Sequence, residues 1–410
     1  MQTDKKSIFV FVGIILFSGI VFSIAHFPAT ENIKNSAAIF FVDSKTVDGL
    51  KNSYQKAGFG NPKMKILIVP GHDDSSWGTK YQGIKEADLN LEMAKYLASF
   101  LKNDQKFDVI LARDDSDYNP LIENYFASQR KGIENFVINQ KKSTKALIDT
   151  GYIEENSDNI IHNTAAPDVA LRLYAINKWA SENGVDVVIH AHFNDYPRRS
   201  MNVEGKYSGF VIYVPEDQLS NAKASQALAG SVYEKLSKFY AESDLKSEQG
   251  GIIKDQTLIA VGAKNTLDSA AILIEYGYIY ESQFLDNALR PIVFKDMALK
   301  TYSGIESFFG GTAVGLNRFG SSILPYNFNS SIKKGAENDG RVLALQVALA
   351  SEGVYPPVGK SKNDCPINGN YKNCTEKSLN AFQEKYNIKG EDGNLGPKTV
   401  QKLNELYGNQ

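Results

Sequence analysis

Cysteine is nearly missing from this chain of 410 residues: there are two, Cys365 and Cys374, close together near the C-terminus. Disulfides can therefore staple no more than one small loop. Histidine is scarce as well, with five residues. Excess charge of either sign is lacking, since 45 Lys and Arg against 47 Asp and Glu leave a net charge of −2. With no basic surplus to neutralise phosphates, nucleic acid is not an expected partner.

One long apolar run is present, from Ile8 to Ala25, interrupted only by Gly and Ser and preceded by Lys5 and Lys6. It reads as a secretory signal peptide, with Ser23-Ile24-Ala25 as a small-x-small cleavage site, or as an uncleaved signal anchor. It is long for a signal core of about 7–15 residues and near the lower limit for a span of about 20. The anchor is preferred, with the lysines inside and the rest of the chain outside. Either way the protein is expected to act outside the cytoplasm. There the two cysteines read as a local disulfide, the alternative being two unrelated buried thiols.

At 42% hydrophobic and 22% charged, the chain is composed like an ordinary globular protein, and its length allows two or three domains. Residues 1–27 are the signal segment, and the mixed, polar stretch 28–63 reads as a linker with room for one short helix. Residues 65–69 form a continuous apolar run, as a strand buried on both faces requires. Helical spacing follows at Leu89, Met93, Leu97, Phe100 and Leu101, then a second strand over 107–112. A helix over 167–183 ends at Gly184, and strands are expected at 186–189, 209–214 and 271–274, with a helix near 221–241. Strands alternating with helices predict an α/β fold with a mixed, largely parallel sheet flanked by helices, spanning 64–309.

The alternation breaks between Ser116 and Ala165. This stretch reads as an insertion holding one or two helices, either a lid or regulatory element or a surface subdomain. From 310 to 337 the chain is rich in Gly, Ser and Asn and reads as an interdomain linker. Residues 338–410 predict a small all-α domain, with helices opened by Val342-Leu343, by Ser378-Leu379 and by Val400.

Three of the five histidines fall in segments that suit metal chemistry: Pro70-Gly71-His72-Asp73 and His190-Ala191-His192-Phe193-Asn194. His72 follows a strand, at the edge where open α/β sheets gather ligand sites. Glu86 stands at the first turn of the next helix. Two histidines and one carboxylate leave a zinc position open for water, as hydrolytic sites do. His190 and His192 are two apart on an extended chain and face the same way, so either could reach the metal. Glu275 ends a buried apolar strand, where a carboxylate is costly without a partner or a catalytic role, and beside a metal it suits a general base.

These segments resemble, in order, those of the bacterial zinc-dependent N-acetylmuramoyl-L-alanine amidases of type 3. Pro70-Gly71-His72 resembles the D-P-G-H-G segment, Glu86 with Leu89-Asn90-Leu91 the second, His192-Phe193-Asn194 the H-x-N segment, and Glu275-Tyr276-Gly277-Tyr278 the E-x-G-F segment. Arg113-Asp114 resembles the T-R-D after the second strand. Val69, Asp73 and Tyr278 depart from the pattern, and His190 stands where the family has Ser. The resemblance implies zinc held by His72, Glu86 and His192, with Glu275 as acid–base. His192 is preferred over His190 on its register with Asn194, leaving His190 as a donor to a ligand, a substrate contact or the ligand itself. It also implies cleavage of the amide between N-acetylmuramic acid and L-alanine in peptidoglycan, in wall remodelling or cell separation. A stem-peptide zinc peptidase and a non-hydrolytic wall-binding scaffold are the alternatives. Residues 338–410 resemble three-helix peptidoglycan-binding domains through Leu345-Gln346, Phe382-Gln383 and Asp392-Gly393-Asn394-Leu395-Gly396-Pro397. Membrane attachment through the N-terminal run and a protein activator acting on the insertion complete the expected partners.

Overall fold

A computed structural model describes residues 45–409 except 59, 116, 157–164, 196–198, 263–267 and 314–316. The first elements are α1 (Val47–Lys56), β1 (Met64–Pro70), the short strands β2 (Lys80–Tyr81) and β3 (Ile84–Lys85), α2 (Glu86–Leu101) and β4 (Phe107–Leu111). There follow α3 (Pro120–Asp149), α4 (Pro167–Glu182), β5 (Val187–Asn194), β6 (Val211–Pro215) and α5 (Ala222–Leu236). β7 (Ile252–Asp255), β8 (Ala270–Tyr278), α6 (Ser282–Leu285) and α7 (Arg290–Phe309) close the sheet-bearing part. The C-terminal helices are α8 (Gly340–Ser351), α9 (Asn373–Lys385) and α10 (Pro397–Tyr407).

The main sheet has the order β4-β1-β5-β8-β6-β7. β4, β1, β5 and β8 run parallel; β6 runs antiparallel to β8, and β7 parallel to β6. The unbroken apolar character of β1 has the expected cause. Ile66 and Ile68 enter a core built with α1, α2, α5 and α7, whereas Leu67 and Val69 enter a second core under α4. The C-terminal ends of β1 and β5 lie side by side, with Val69 opposite His190 and Pro70 opposite Ala191. That edge brings the chemically interesting segments together.

The 116–165 insertion contributes α3, capped by the Asn119 side chain, which accepts from the Leu121 amide at 3.0 Å. α3 packs along α4 through Phe126 and Ile133 against Tyr174 and Ala175. Leu147 near the end of α3 and Ile153 just after it reach Leu219 and Ala222. Among the described residues the insertion thus packs against α4 and the start of α5; a lid or regulatory element and a surface subdomain were the two expectations. Among the described residues, one link to the site is the Tyr118 hydroxyl, which donates to Asp73 Oδ2 at 2.9 Å.

Two linker expectations need correction. Within 28–63 the short helix allowed for is present as α1, and it is docked, burying Leu50 and Tyr54. Within 310–337, Ile323, Leu324, Phe328 and Ile332 are buried in the core that α7 shares with α8–α10. Ser321 Oγ donates to Asp296 Oδ1 at 2.7 Å, and Lys300 Nζ donates to the Gly320 carbonyl at 2.8 Å. Small polar residues suggested a tether, but the apolar side chains among them seat the segment. The apolar run 8–25 lies outside the described residues, and among those described no helix is long and apolar enough to cross a membrane.

In the C-terminal module Gln346 Oε1 accepts from the Asn368 and Gly369 amides at 3.0 and 2.9 Å, and Gln383 Oε1 accepts from the Gly393 amide at 2.7 Å. These glutamines therefore hold turns. Cys365 and Cys374 are disulfide-bonded. Asn363, in the same loop, donates to the Glu242 carbonyl at 2.9 Å and so seats the module on the sheet-bearing part.

One buried cluster has a pH signature. Tyr54 Oη lies 2.8 Å from Asp104 Oδ2 and 2.9 Å from Glu306 Oε2. A hydroxyl has one proton to donate, so the second contact is attractive only when a carboxyl carries a proton. Burial pushes the Glu306 carboxyl up to about 7; the Tyr54 hydrogen bond opposes the rise, Asp104 adds to it and Lys106 subtracts. The folded state thus holds a proton that the unfolded chain releases near the ordinary value. Stability is greatest below that value and falls as pH rises towards about 7. Chemical denaturation at pH 5 and pH 8 should show wild type losing about 1–3 kcal/mol more than Glu306→Gln between the two conditions. Equal losses would assign the proton elsewhere.

Candidate metal centre and catalytic carboxylate

The site begins where β1 ends. The Gly71 amide donates to the Ala191 carbonyl at 3.0 Å, continuing the ladder to β5 for one residue. The chain then turns at His72, whose φ of 61° lies in the left-handed region that residues other than glycine rarely adopt. The Gly71 carbonyl is held by Asn90 Nδ2 at 2.9 Å and Arg113 Nη2 at 3.2 Å. Arg113 Nη2 also donates to the Ala87 carbonyl at 2.7 Å. One buried guanidinium therefore ties the end of β1 to the start of α2.

Glu86 is the first residue of α2, where the helix dipole favours a carboxylate. Its Oε2 lies 3.3 Å from His72 Nε2, and its Oε1 lies 3.0 Å from His192 Nδ1. The Thr79 amide donates to Oε2 at 3.1 Å and Asn90 Nδ2 to Oε1 at 3.3 Å. The two imidazoles meet edge to face with centroids 5.2 Å apart. One ligand atom from each of His72, Glu86 and His192 lies within 4.8 Å of the others, so these three residues could hold a metal ion. Burial alone would raise the Glu86 carboxyl, but the two histidines hold it well below the usual range. Burial lowers His72 and Glu86 outweighs it, raising the group overall; at His192 burial prevails and the group is lowered.

Two glycines leave the room this cluster needs. A Cβ on Gly71 would lie 2.1 Å from His192 Cε1. One on Gly78 would lie 2.2 Å from Glu86 Oε2 and 2.6 Å from His72 Cδ2.

Glu275 on β8 stands in register with His192 on β5, and adjacent strands lie about 4.8 Å apart. Its Oε2 is buried without a hydrogen-bond partner. Burial, then the negative charges of Glu86 and Glu248, push its carboxyl well above the usual range. His190 is left out of the cluster. It pairs in register with Val69 and Leu273, one step deeper on the same face as His192. It is 1% exposed, neither ring nitrogen has a partner, and burial followed by the nearby His192 pushes it down to about 3.

Glu248 escaped the sequence reading. It sits in a short 3-10 turn over Lys246–Glu248 and is buried. Its carboxyl accepts from Asn194 Nδ2 at 2.9 Å, from the Tyr213 hydroxyl at 2.8 Å, from the Tyr278 hydroxyl at 3.0 Å and from Ser243. No motif marks it in sequence, since its donors come from four separate segments. The site thus arrays one carboxyl between two imidazoles, a second that retains protons, and a third saturated with donors.

The sequence model of the N-acetylmuramoyl-L-alanine amidase family matches residues 66–307, and that of a peptidoglycan-binding domain family matches residues 338–403. No curated protein is similar enough to count as a relative. Similar solved structures include an N-acetylmuramoyl-L-alanine amidase from Clostridium difficile 630, at 17% identity over 61% of this chain and 98% of that one, with a TM-score of 0.37. The CwlD amidase from Clostridioides difficile, in complex with the GerS lipoprotein, is similar at 18% identity over 60% and 99%, with a TM-score of 0.40. The amidase Ami1 from Mycobacterium smegmatis is similar at 13% identity over 60% and 97%, with a TM-score of 0.36.

The cradle makes a prediction independent of activity. Gly71→Ala should lower unfolding free energy by about 1–3 kcal/mol, because its methyl meets the His192 ring. Gly230→Ala, inside α5 with nothing within 4 Å of the added Cβ, should instead stabilise by about 0.5–1 kcal/mol. Equal effects in denaturant titrations would contradict the crowding described at Gly71.

Proposed function

The chain belongs to the N-acetylmuramoyl-L-alanine amidase family, whose sequence model spans more than half of it, and on that premise we propose that His72, Glu86 and His192 hold a catalytic zinc beside the acid–base Glu275. The observation that carries this reading is the convergence of the three ligand atoms within 4.8 Å, with Glu275 in register beside His192. Two imidazole nitrogens and one carboxylate oxygen are a donor set that zinc hydrolases use with one position open. The space left by Gly71 and Gly78 and the donors on both Glu86 oxygens also fit an ion, because they hold the ligands before it arrives. When bound, zinc supplies Lewis acidity and lowers the pKa of water.

The remaining work falls to the chain's own side chains. Glu275 takes a proton from the attacking water and delivers it to the departing amine nitrogen. Its unpartnered Oε2 is free to take that proton, and its environment favours holding it until the amine leaves. Arg113 and Asn90 fix the Gly71 carbonyl and with it the approach to His72. His190, neutral and one step deeper, fills the floor beneath His192.

The bond cleaved is the amide between the lactyl group of N-acetylmuramic acid and L-alanine of the stem peptide. Residues 64–309 form the catalytic domain and 338–410 the peptidoglycan-binding domain. Peptidoglycan lies outside the cytoplasm, and the run 8–25 either exports the chain or holds it at the membrane.

Purified peptidoglycan digested by the wild type should release stem peptides that begin with L-alanine, read by mass spectrometry. Glu275→Gln should cut the rate by about 10²–10⁴ while zinc content stays unchanged. Fragments cut within the stem would favour a peptidase, binding without release would favour a scaffold, and hydrolysis that persists after chelation would rule out the zinc mechanism.

A further inference from the structure

The peptides on both sides of His72 are held, by Asn90 of α2 and by Arg113 and Tyr118 of the segment after β4. Before His72, Arg113 and Asn90 grip the Gly71 carbonyl. After it, Asp73 Oδ1 accepts from the Ser75 amide at 2.9 Å, the Ser75 hydroxyl at 2.6 Å and the Ser76 amide at 2.9 Å. The other oxygen, Oδ2, accepts from the Tyr118 hydroxyl at 2.9 Å. Tyr118 is itself fixed. It bridges to Arg113 through the backbone, and the next residue, Asn119, donates its amide to the Ala112 carbonyl at 2.8 Å. The Arg172 guanidinium lies 4.3 Å from the Tyr118 ring and 4.3 Å from Phe126 of α3, and pairs with Glu123. A continuous set of contacts therefore runs from the loop of His72 to α3 and α4.

Both ends of this contact belong to departures from the family pattern. Asp73 stands where that pattern has glycine, and Tyr118 lies at the start of the insertion. A glycine could leave the loop after His72 free; an aspartate whose two oxygens accept from both sides of the loop cannot.

We propose that Asp73 and Tyr118 are positioning residues: their hydrogen bond holds His72 in its left-handed conformation, with the imidazole turned to Glu86 and His192, and so sets how tightly zinc is held. The proposal rests on the reading of His72 as a zinc ligand. Groups that orient a metal ligand typically change metal affinity 10–100-fold when removed. Here the effect reaches the ligand through one peptide unit, so the lower end applies.

The test is the zinc dissociation constant of the full chain, measured by competition with a chelating dye, alongside thermal unfolding of the zinc-free protein. Tyr118→Phe removes one hydroxyl and keeps the ring beneath Arg172. Its zinc affinity should fall about tenfold while the zinc-free midpoint stays within a degree or two of wild type. Asp73→Ala should weaken zinc at least as much. The double variant should be no weaker than Asp73→Ala alone, because both act through the same contact. Should Asp73→Ala fail to fold, Tyr118→Phe decides. Wild-type affinity in Tyr118→Phe, or a loss matched by an equal loss of zinc-free stability, overturns the proposal. A wild type that binds no zinc overturns the ligand assignment, and this inference falls with it.

Discussion

The Glu86 carboxylate between two imidazoles is the contact on which the rest of the site depends. It is 5% exposed, and a carboxylate so placed is costly unless its charge is met. Four sources meet it: His72, His192, the Thr79 amide and Asn90. These partners come from the end of β1, the following loop, the start of α2 and β5. To satisfy one carboxylate the fold must therefore bring the ends of two parallel strands and a helix N-terminus to one point. The parallel pairing of β1 with β5 and the glycines at 71 and 78 are the means.

The same economy of charge orders the neighbouring carboxyls. Glu248 is met by Asn194, Tyr213, Tyr278 and Ser243. Glu275 lies between these two satisfied carboxyls and has no donor on Oε2. Three carboxyls, from the start of α2, a 3-10 turn and β8, thus divide into two that are held by donors and one with an oxygen left unpartnered. Environment, not residue type, makes the division. Away from the site, the shared core of α7 with α8–α10 and the Asn363 contact hold the C-terminal module against the sheet-bearing part. The C-terminal module is accordingly a packed extension of the sheet-bearing part.

Much of this was legible in the chain. Continuous apolar runs marked β1 and β5 because both are buried on two faces, and His72, Glu86 and His192 stood at element boundaries where such sites form. The preference for His192 over His190 rested on its register with Asn194, and His192 is the histidine within reach of Glu86. What was not legible has physical causes. α7 is buried nearly all round, with Asp296, Lys300 and Glu306 inside, so its sequence lacks the one-sided stripe that reveals a surface helix. The antiparallel direction of β6 depends on partners distant in sequence. Glu248 becomes special only when four segments converge on it. The stretch 310–337 carries the composition of a loose connection, and the apolar residues that seat it follow no period.

The central claim is that His72, Glu86 and His192, and not His190, hold the ion. Anomalous diffraction at the zinc edge, from crystals of the full chain grown with one equivalent of zinc, tests it most directly. The account predicts one peak bounded by the side chains of His72, Glu86 and His192, with the Glu275 carboxyl nearby and His190 uncoordinated. A peak bonded to His190, or none at this site while the three side chains are ordered, would contradict it.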